Sequence, residues 1–118
     1  MRGGAKAKAY RFKGKIWKHK GKGGWHFITL PAALSKKIRT NHGFDEEGWG
    51  RLKTSATIGQ SKWKTAIWYD LKLKAYLLPL KELIRRSEKI DAGSAVIVTL
   101  LFDDSSRPAT AYRYGAGK

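Results

Sequence analysis

Arg51-Leu52-Lys53-Thr54-Ser55-Ala56-Thr57-Ile58-Gly59-Gln60-Ser61-Lys62-Trp63-Lys64-Thr65-Ala66-Ile67-Trp68-Tyr69 alternates around a single glycine. Alternation with a period of two marks strands with one buried face, so Arg51–Ile58 and Lys62–Tyr69 read as a strand pair. Ile58-Gly59-Gln60-Ser61 is the turn between them, and Gly59 stands at the first central position, where a type II′ hairpin needs glycine. A two-residue turn fixes the register. Thr57 falls opposite Lys62, Ser55 opposite Lys64, Lys53 opposite Ala66 and Arg51 opposite Trp68. The other face pairs Ala56 with Trp63, Thr54 with Thr65 and Leu52 with Ile67. One face is basic and the other largely apolar, as a self-consistent pairing requires.

The same reading extends in both directions. From Tyr10, Tyr10, Phe12, Gly14 and Ile16 alternate with Arg11, Lys13, Lys15 and Trp17, which predicts another half-buried strand. A glycine-rich basic loop, Lys18–Gly24, leads to a strand over Trp25–Leu30, with Trp25, Phe27 and Trp63 expected in the core. Pro31 opens a helix with Ala33, Leu34 and Ile38 near one face and Asn41-His42-Gly43 at its end. Residues 43–50 read as an acidic glycine-rich loop. Ala75–Leu78 is a short strand, and Pro79 opens a second helix with Leu80, Leu83 and Ile84 on one side. Ala95–Phe102 is nearly continuous apolar sequence and predicts a strand buried on both faces. Residues 1–9 read as a flexible basic arm, 10–104 as one barrel-forming domain, and 105–118 as a loosely held tail.

An internal echo links the halves. Ile28-Thr29-Leu30-Pro31 and Tyr76-Leu77-Leu78-Pro79 each run from strand through Leu-Pro into helix. Either the chain is a structural pseudo-repeat or both segments use a common strand-to-helix junction.

Taken in order, these segments resemble an uncharacterised bacterial family, domain of unknown function nineteen-oh-five. The resemblance rests on Gly24-Trp25-His26-Phe27-Ile28-Thr29-Leu30-Pro31, the hairpin Ala56-Thr57-Ile58 to Trp63-Lys64-Thr65, Ala75-Tyr76-Leu77-Leu78-Pro79-Leu80-Lys81, Ile84-Arg85 and Ile90-Asp91-Ala92-Gly93. It implies a mostly-β fold: a double-split β-barrel of about six strands with two short helices, distantly similar to AbrB- and MazE-like transcription factors. Those build the barrel from two chains. One chain would supply both units here. Ser94 departs from the family, which usually has an acidic residue after that glycine. The family brings no activity to carry over.

Charge narrows the partner class. The 118 residues carry 25 Lys+Arg and 9 Asp+Glu, for a formal charge of +16, and twelve of the cations precede the first acidic residue, Asp45. Such a field concentrates polyanions. Hydrophobic residues make up 42%, enough for one core, so charge does not imply disorder here. The absence of cysteine excludes disulfides, zinc knuckles and cysteine nucleophiles, and suits a cytoplasmic location. Met1–Lys8 has charge without an apolar stretch behind it, unlike a secretory signal, and no apolar run approaches a bilayer span.

The expected function is non-specific binding of DNA or RNA by a monomer or weak dimer. Arg11, Lys13, Lys15, Arg51, Lys53, Lys62 and Lys64 would contact phosphates from strand faces, and Lys18, Lys20 and Lys22 from the loop. Trp17 and Trp68 share those faces and could stack on bases. The alternative is a protein-interaction or small-anion-binding module that takes an acidic protein. Lys18–Gly24 lacks the ending of a nucleotide-binding loop and leads into a strand. His19, His26 and His42 share no metal-ligand spacing, and His26 is expected as a hydrogen-bonded core or interface residue. Asp45-Glu46-Glu47 is a solvated loop or one that pairs with the basic face. No nucleophile–base motif is present, so no enzyme, metal, cofactor or membrane role is expected.

Overall fold

The computed structural model describes residues 7–21 and 23–103. The elements are β1 (Ala7–Lys18), β2 (His26–Thr29), α1 (Ala32–His42), β3 (Arg51–Ile58), β4 (Ser61–Asp70), β5 (Ala75–Pro79), α2 (Glu82–Glu88) and β6 (Ala95–Asp103), with short 3-10 turns at Gly43–Asp45 and Gly48–Gly50. The strands close into an antiparallel barrel in the order β1-β2-β5-β4-β3-β6. The expected double-split barrel with two helices is therefore the fold. Two long ladders, β1–β6 and β3–β4, are joined by seams of three register pairs at β1–β2, β2–β5, β4–β5 and β3–β6.

The β3–β4 register is the one the turn dictates, from Thr57 opposite Lys62 to Arg51 opposite Trp68. Gly59 has φ 57°, the positive value that its turn position demands. Glu88 of α2 closes over this turn and accepts the Ser61 hydroxyl at 2.6 Å. On β1, Tyr10, Phe12 and Ile16 point inward while Arg11, Lys13 and Lys15 are exposed. The interior is filled by Ile16, Ile28, Leu30, Ile38, Ile67, Tyr76, Leu78, Val98 and Leu100. Burying an aliphatic or aromatic side chain of this size contributes roughly 1.5–3 kcal/mol.

The chain is a structural pseudo-repeat. Exchanging β1 with β4, β2 with β5 and β3 with β6 leaves the ring order unchanged. Ladder positions then make Arg11, Lys13, Ile16 and Trp17 equivalent to Lys62, Lys64, Ile67 and Trp68. The two halves interleave around the ring, and at β2–β5 Leu30 N–H donates to Tyr76 O and Leu80 N–H to His26 O, both at 2.9 Å. The Leu-Pro echo is offset by two residues from this repeat. Leu30-Pro31 corresponds to Leu80-Lys81, because Pro31 immediately precedes α1 and Lys81 immediately precedes α2. Pro79 ends β5 and does not open the second helix.

Other expectations are corrected. β1 begins at Ala7, so residues 7–9 of the expected arm pair with Leu101–Asp103. Residues 1–6 and 104–118 lie outside the described residues. β6 buries only one face: Val96, Val98, Leu100 and Phe102 point in, while Ile97 is 43% exposed. Its outer apolar residues lie between cation-bearing strands, and no second layer covers them among the described residues. Leu83 is exposed on α2, which begins too late for Leu83 to join Leu80 and Ile84 in the core. On α1, Ser35, Ile38 and His42 are buried and Ala33 is exposed.

At Gly14 and Gly59 a side chain would collide with a neighbour. A Cβ on Gly14 would meet Ile28 Cγ2 inside contact distance, and one on Gly59 would meet the Glu88 carboxylate. Gly14→Ala should cost about 1–3 kcal/mol by overpacking. Gly59→Ala should cost about 1–2 kcal/mol from its positive φ. Urea denaturation measures both, and an unchanged midpoint for Gly14→Ala would contradict this packing.

Candidate functional site

Closure sends alternate residues outward, and the outer wall is basic. Arg11, Lys13, Lys15, Lys18 and Lys20 are exposed on or just after β1, as are Lys53, Lys62 and Lys64 on the β3–β4 ladder. Arg51 is half-buried. Lys22 lies outside the described residues. Across the wall, Arg11 faces Thr99, Thr99 faces Thr57 and Thr57 faces Lys62. This row crosses four strands, roughly 14 Å at about 4.8 Å per strand. A second row, offset along β6, places Lys13 opposite Ile97, and Leu101 and Lys64 on either side of Ser55. Two cation ridges, one on each half of the repeat, thus flank a trough of uncharged side chains, Thr57, Thr99, Ser55, Ile97 and Leu101. The axis of the pseudo-repeat passes through the Thr57–Thr99 pair. Beside the β3–β4 ridge is an open depression of about 570 Å³ lined by residues including Arg51, Lys53, Ser55, Lys64 and Leu101.

The acidic loop partly neutralises this wall. Arg51 Nη1 donates to Glu47 Oε1 at 2.6 Å, and Lys53 Nζ lies 3.3 Å from Glu47 Oε2. Of the two readings of Asp45-Glu46-Glu47, pairing with the basic face holds for Glu47. Glu46 turns inward instead. It accepts the hydroxyl of fully buried Tyr76 and lies 3.6 Å from Arg39 Nε, while the Arg39 guanidinium sits 3.9 Å from the centre of the Tyr69 ring. Burial, reinforced by Glu46, pushes the Tyr76 hydroxyl well above its usual range. Among the described residues, no carboxylate lies within ion-pair distance of Arg11, Lys13, Lys15, Lys18, Lys20, Lys62 or Lys64.

The aromatic residues are arranged differently from the sequence reading. Trp17 is half-buried and its indole N–H donates to Thr29 Oγ1 at 2.9 Å. Trp68 is 36% exposed, with the Arg51 guanidinium 5.8 Å from its ring centre. Trp63 is half-buried against the core. Trp25 and Phe27 were expected inside, but Trp25 is 58% exposed and Phe27 half-buried. The segment 25–30 is apolar on both faces, so alternation alone does not choose between them. Ile28 and Leu30 fill the barrel, which turns Trp25, Phe27 and Thr29 outward. The usable signal was the neighbouring Pro31, which commits Leu30 to the junction with α1.

The histidines are part of the framework or the loop. His26 points inward, with Nδ1 2.6 Å from Gly24 O and Nε2 3.2 Å from Asp91 Oδ1, as the hydrogen-bonded reading required. His42 is buried, stacks on Phe102 at 4.5 Å, and lies 3.0 Å from the Tyr10 hydroxyl. His19 is exposed and its Nδ1 accepts the Gly21 N–H. No helix among the described residues is long and apolar enough to cross a membrane.

Glu47 gives the wall a pH dependence. Burial pushes its carboxyl up, but hydrogen bonds and charge from Arg51 and Lys53 outweigh this and hold it below the usual range. A depressed carboxylate contributes stability above its unfolded pKa and loses it as pH falls through the folded value. Glu47→Gln should therefore remove this part of the acid destabilisation. Because the pair is about half exposed, the loss near neutrality should be below about 1 kcal/mol. Urea midpoints at neutral and acid pH test this: equal acid sensitivity in wild type and Glu47→Gln would contradict it.

No curated protein matches this chain. The family model described as Domain of unknown function (DUF1905) matches residues 12–100, from inside β1 to inside β6 and so most of the barrel. The chain belongs to the DUF1905 family.

Proposed function

We propose that this protein is a non-enzymatic, cytoplasmic nucleic-acid-binding module that holds the phosphate backbone without reading sequence. The supporting observation is the pair of cation ridges, Arg11-Lys13-Lys15 and Lys62-Lys64, which face solvent across the Thr57–Thr99 trough without carboxylate partners among the described residues. Cations at a two-residue repeat are spaced about 6.7 Å apart along a strand. That regularity suits successive backbone charges, whose condensed counterions are released on binding. The net charge of +16 adds a long-range attraction that speeds encounter. Arg51 and Lys53 contribute less than the sequence implied, because a phosphate there must compete with Glu47.

A second reading draws on the Glu47 contacts. Arg51 and Lys53 already hold a carboxylate beside the open depression, so this ridge also suits a small anion or an acidic segment of another protein. The readings separate by competition. Duplex DNA should displace little of a bound acidic peptide if the second reading holds.

The test of the first reading is a salt titration with duplex DNA, single-stranded DNA and RNA. Affinity should fall by about 0.9 log units per log unit of salt for each duplex phosphate neutralised, and by about 0.7 for single strands. Replacing Arg11, Lys13 and Lys15 together by Ala should lower the slope by roughly 2–3. Fold stability should be retained because all three face outward. A flat salt response, or no binding to any of these polymers at low salt, would refute the proposal.

A further inference from the structure

We propose that the outer end of the β1–β2 hairpin is a stacking site for unpaired nucleobases, which gives the protein a preference for single-stranded nucleic acid over duplex. The inference rests on the phosphate-binding reading above and adds the feature that selects among polyanions. Four rings gather here. Trp25 and Phe27 are nearly parallel, with centroids 6.2 Å apart and an interplanar angle of 11°. Trp17 lies 5.1 Å from Phe27, and His19 lies 6.5 Å from Trp17 and 6.4 Å from Phe27. None of these rings is in the core cluster, and the Trp25 side chain is mostly in water.

The hairpin holds Trp25 in this exposed position. Gly23 and Gly24 have φ of 94° and 63°, a left-handed succession that other residues rarely adopt. The Trp25 indole lies against Gly23, where a Cβ would come within 3.2 Å of it. Just before the paired segment, His19 N–H donates to Trp25 O at 2.8 Å. Within that segment, buried His26 opens β2 opposite Lys18 and is fixed by its approach to Gly24 O and Asp91. Trp25 is thus an exposed ring on a braced backbone.

Charge at the site identifies the occupant. Lys18 and Lys20 are exposed at this end of the hairpin, Lys18 as the strand neighbour of Trp17, and the β1 cations Arg11, Lys13 and Lys15 alternate along the outward face that ends in Trp17. A single strand lying along β1 would place phosphates on the cations and free base faces on the rings. A duplex offers the same phosphates, but its bases are already stacked and paired. The equivalent end of the pseudo-repeat lacks this combination. There Trp68 pairs with Leu77 where Trp17 pairs with Phe27, and the following turn begins at Asp70 and exposes Leu71 and Leu73. An apolar patch for another protein would not need the flanking lysines or parallel rings.

The experiment compares an oligothymidylate with a mixed-sequence duplex in wild type, Trp25→Ala and Trp25→Phe, using the full chain. Stacking on an aromatic side chain corresponds to roughly a 5- to 150-fold change in affinity per base. Trp25→Ala should lose single-strand affinity by that factor and keep duplex affinity, while Trp25→Phe should retain most of it. Oligothymidylate should quench tryptophan fluorescence in wild type, and the quench should shrink in Trp25→Ala. If both polymers bind and Trp25→Ala changes neither, or weakens both equally, the stacking inference fails and the phosphate reading stands. If neither polymer binds at low salt, both fail. If wild type sediments as a dimer that Trp25→Ala dissociates, the patch is a self-association surface and the inference is overturned.

Discussion

What this protein can present to a partner follows from one constraint. A barrel of six strands is only wide enough to be filled by side chains from alternate positions, so every inward residue commits its neighbours to the outside. Ile16 and Phe12 in the interior put Lys13, Lys15 and Trp17 on the wall, and Ile28 and Leu30 do the same for Phe27 and Thr29. The surface chemistry is therefore a by-product of core packing and shares its rigidity. The cations, Lys18 at the end of β1 included, sit on laddered strands, where their spacing is held by backbone hydrogen bonds, whereas Lys20 lies beyond the last pair.

The pseudo-repeat doubles this effect. The residues that fill equivalent places inside the two halves, such as Ile16 and Ile67, bring with them equivalent outward residues: Arg11 with Lys62, Lys13 with Lys64 and Trp17 with Trp68. The symmetry then breaks at two places. Glu47 reaches only the ridge that includes Arg51 and Lys53, and the ring cluster caps only β1 and β2. Among the described residues, a carboxylate tempers one flank of the trough and not the other.

Most of the fold was legible because its signals are local. Gly59 in a two-residue turn determines every pair of the β3–β4 ladder, and the strict alternation from Tyr10 determines the β1 faces. The failures came where local signals were degenerate or the deciding contact was remote. Trp25–Leu30 and Ala95–Phe102 are apolar at successive positions, so their inside faces depend on partners far along the chain. Pro79 resembles Pro31 in sequence, but its residue is used to finish a strand paired with Phe27. The pairing of Glu47 with Arg51 and Lys53 depends on how residues 43–50 fold into turns, which composition does not specify. The candidate cations were visible in sequence, whereas the ring cluster required knowledge of which way the second strand faces.

Tyr76 links these levels. Its backbone N–H donates to Ser35 Oγ on α1, its carbonyl accepts from Leu30, and its hydroxyl reaches Glu46, all from a fully buried position. Glu46 and Glu47 are adjacent, one anchored from within and the other clamped onto surface cations. The two residues share one peptide plane, so holding Glu46 against Tyr76 restricts where the Glu47 backbone lies. The barrel interior thereby helps to place an external counter-charge over the Arg51–Lys53 flank.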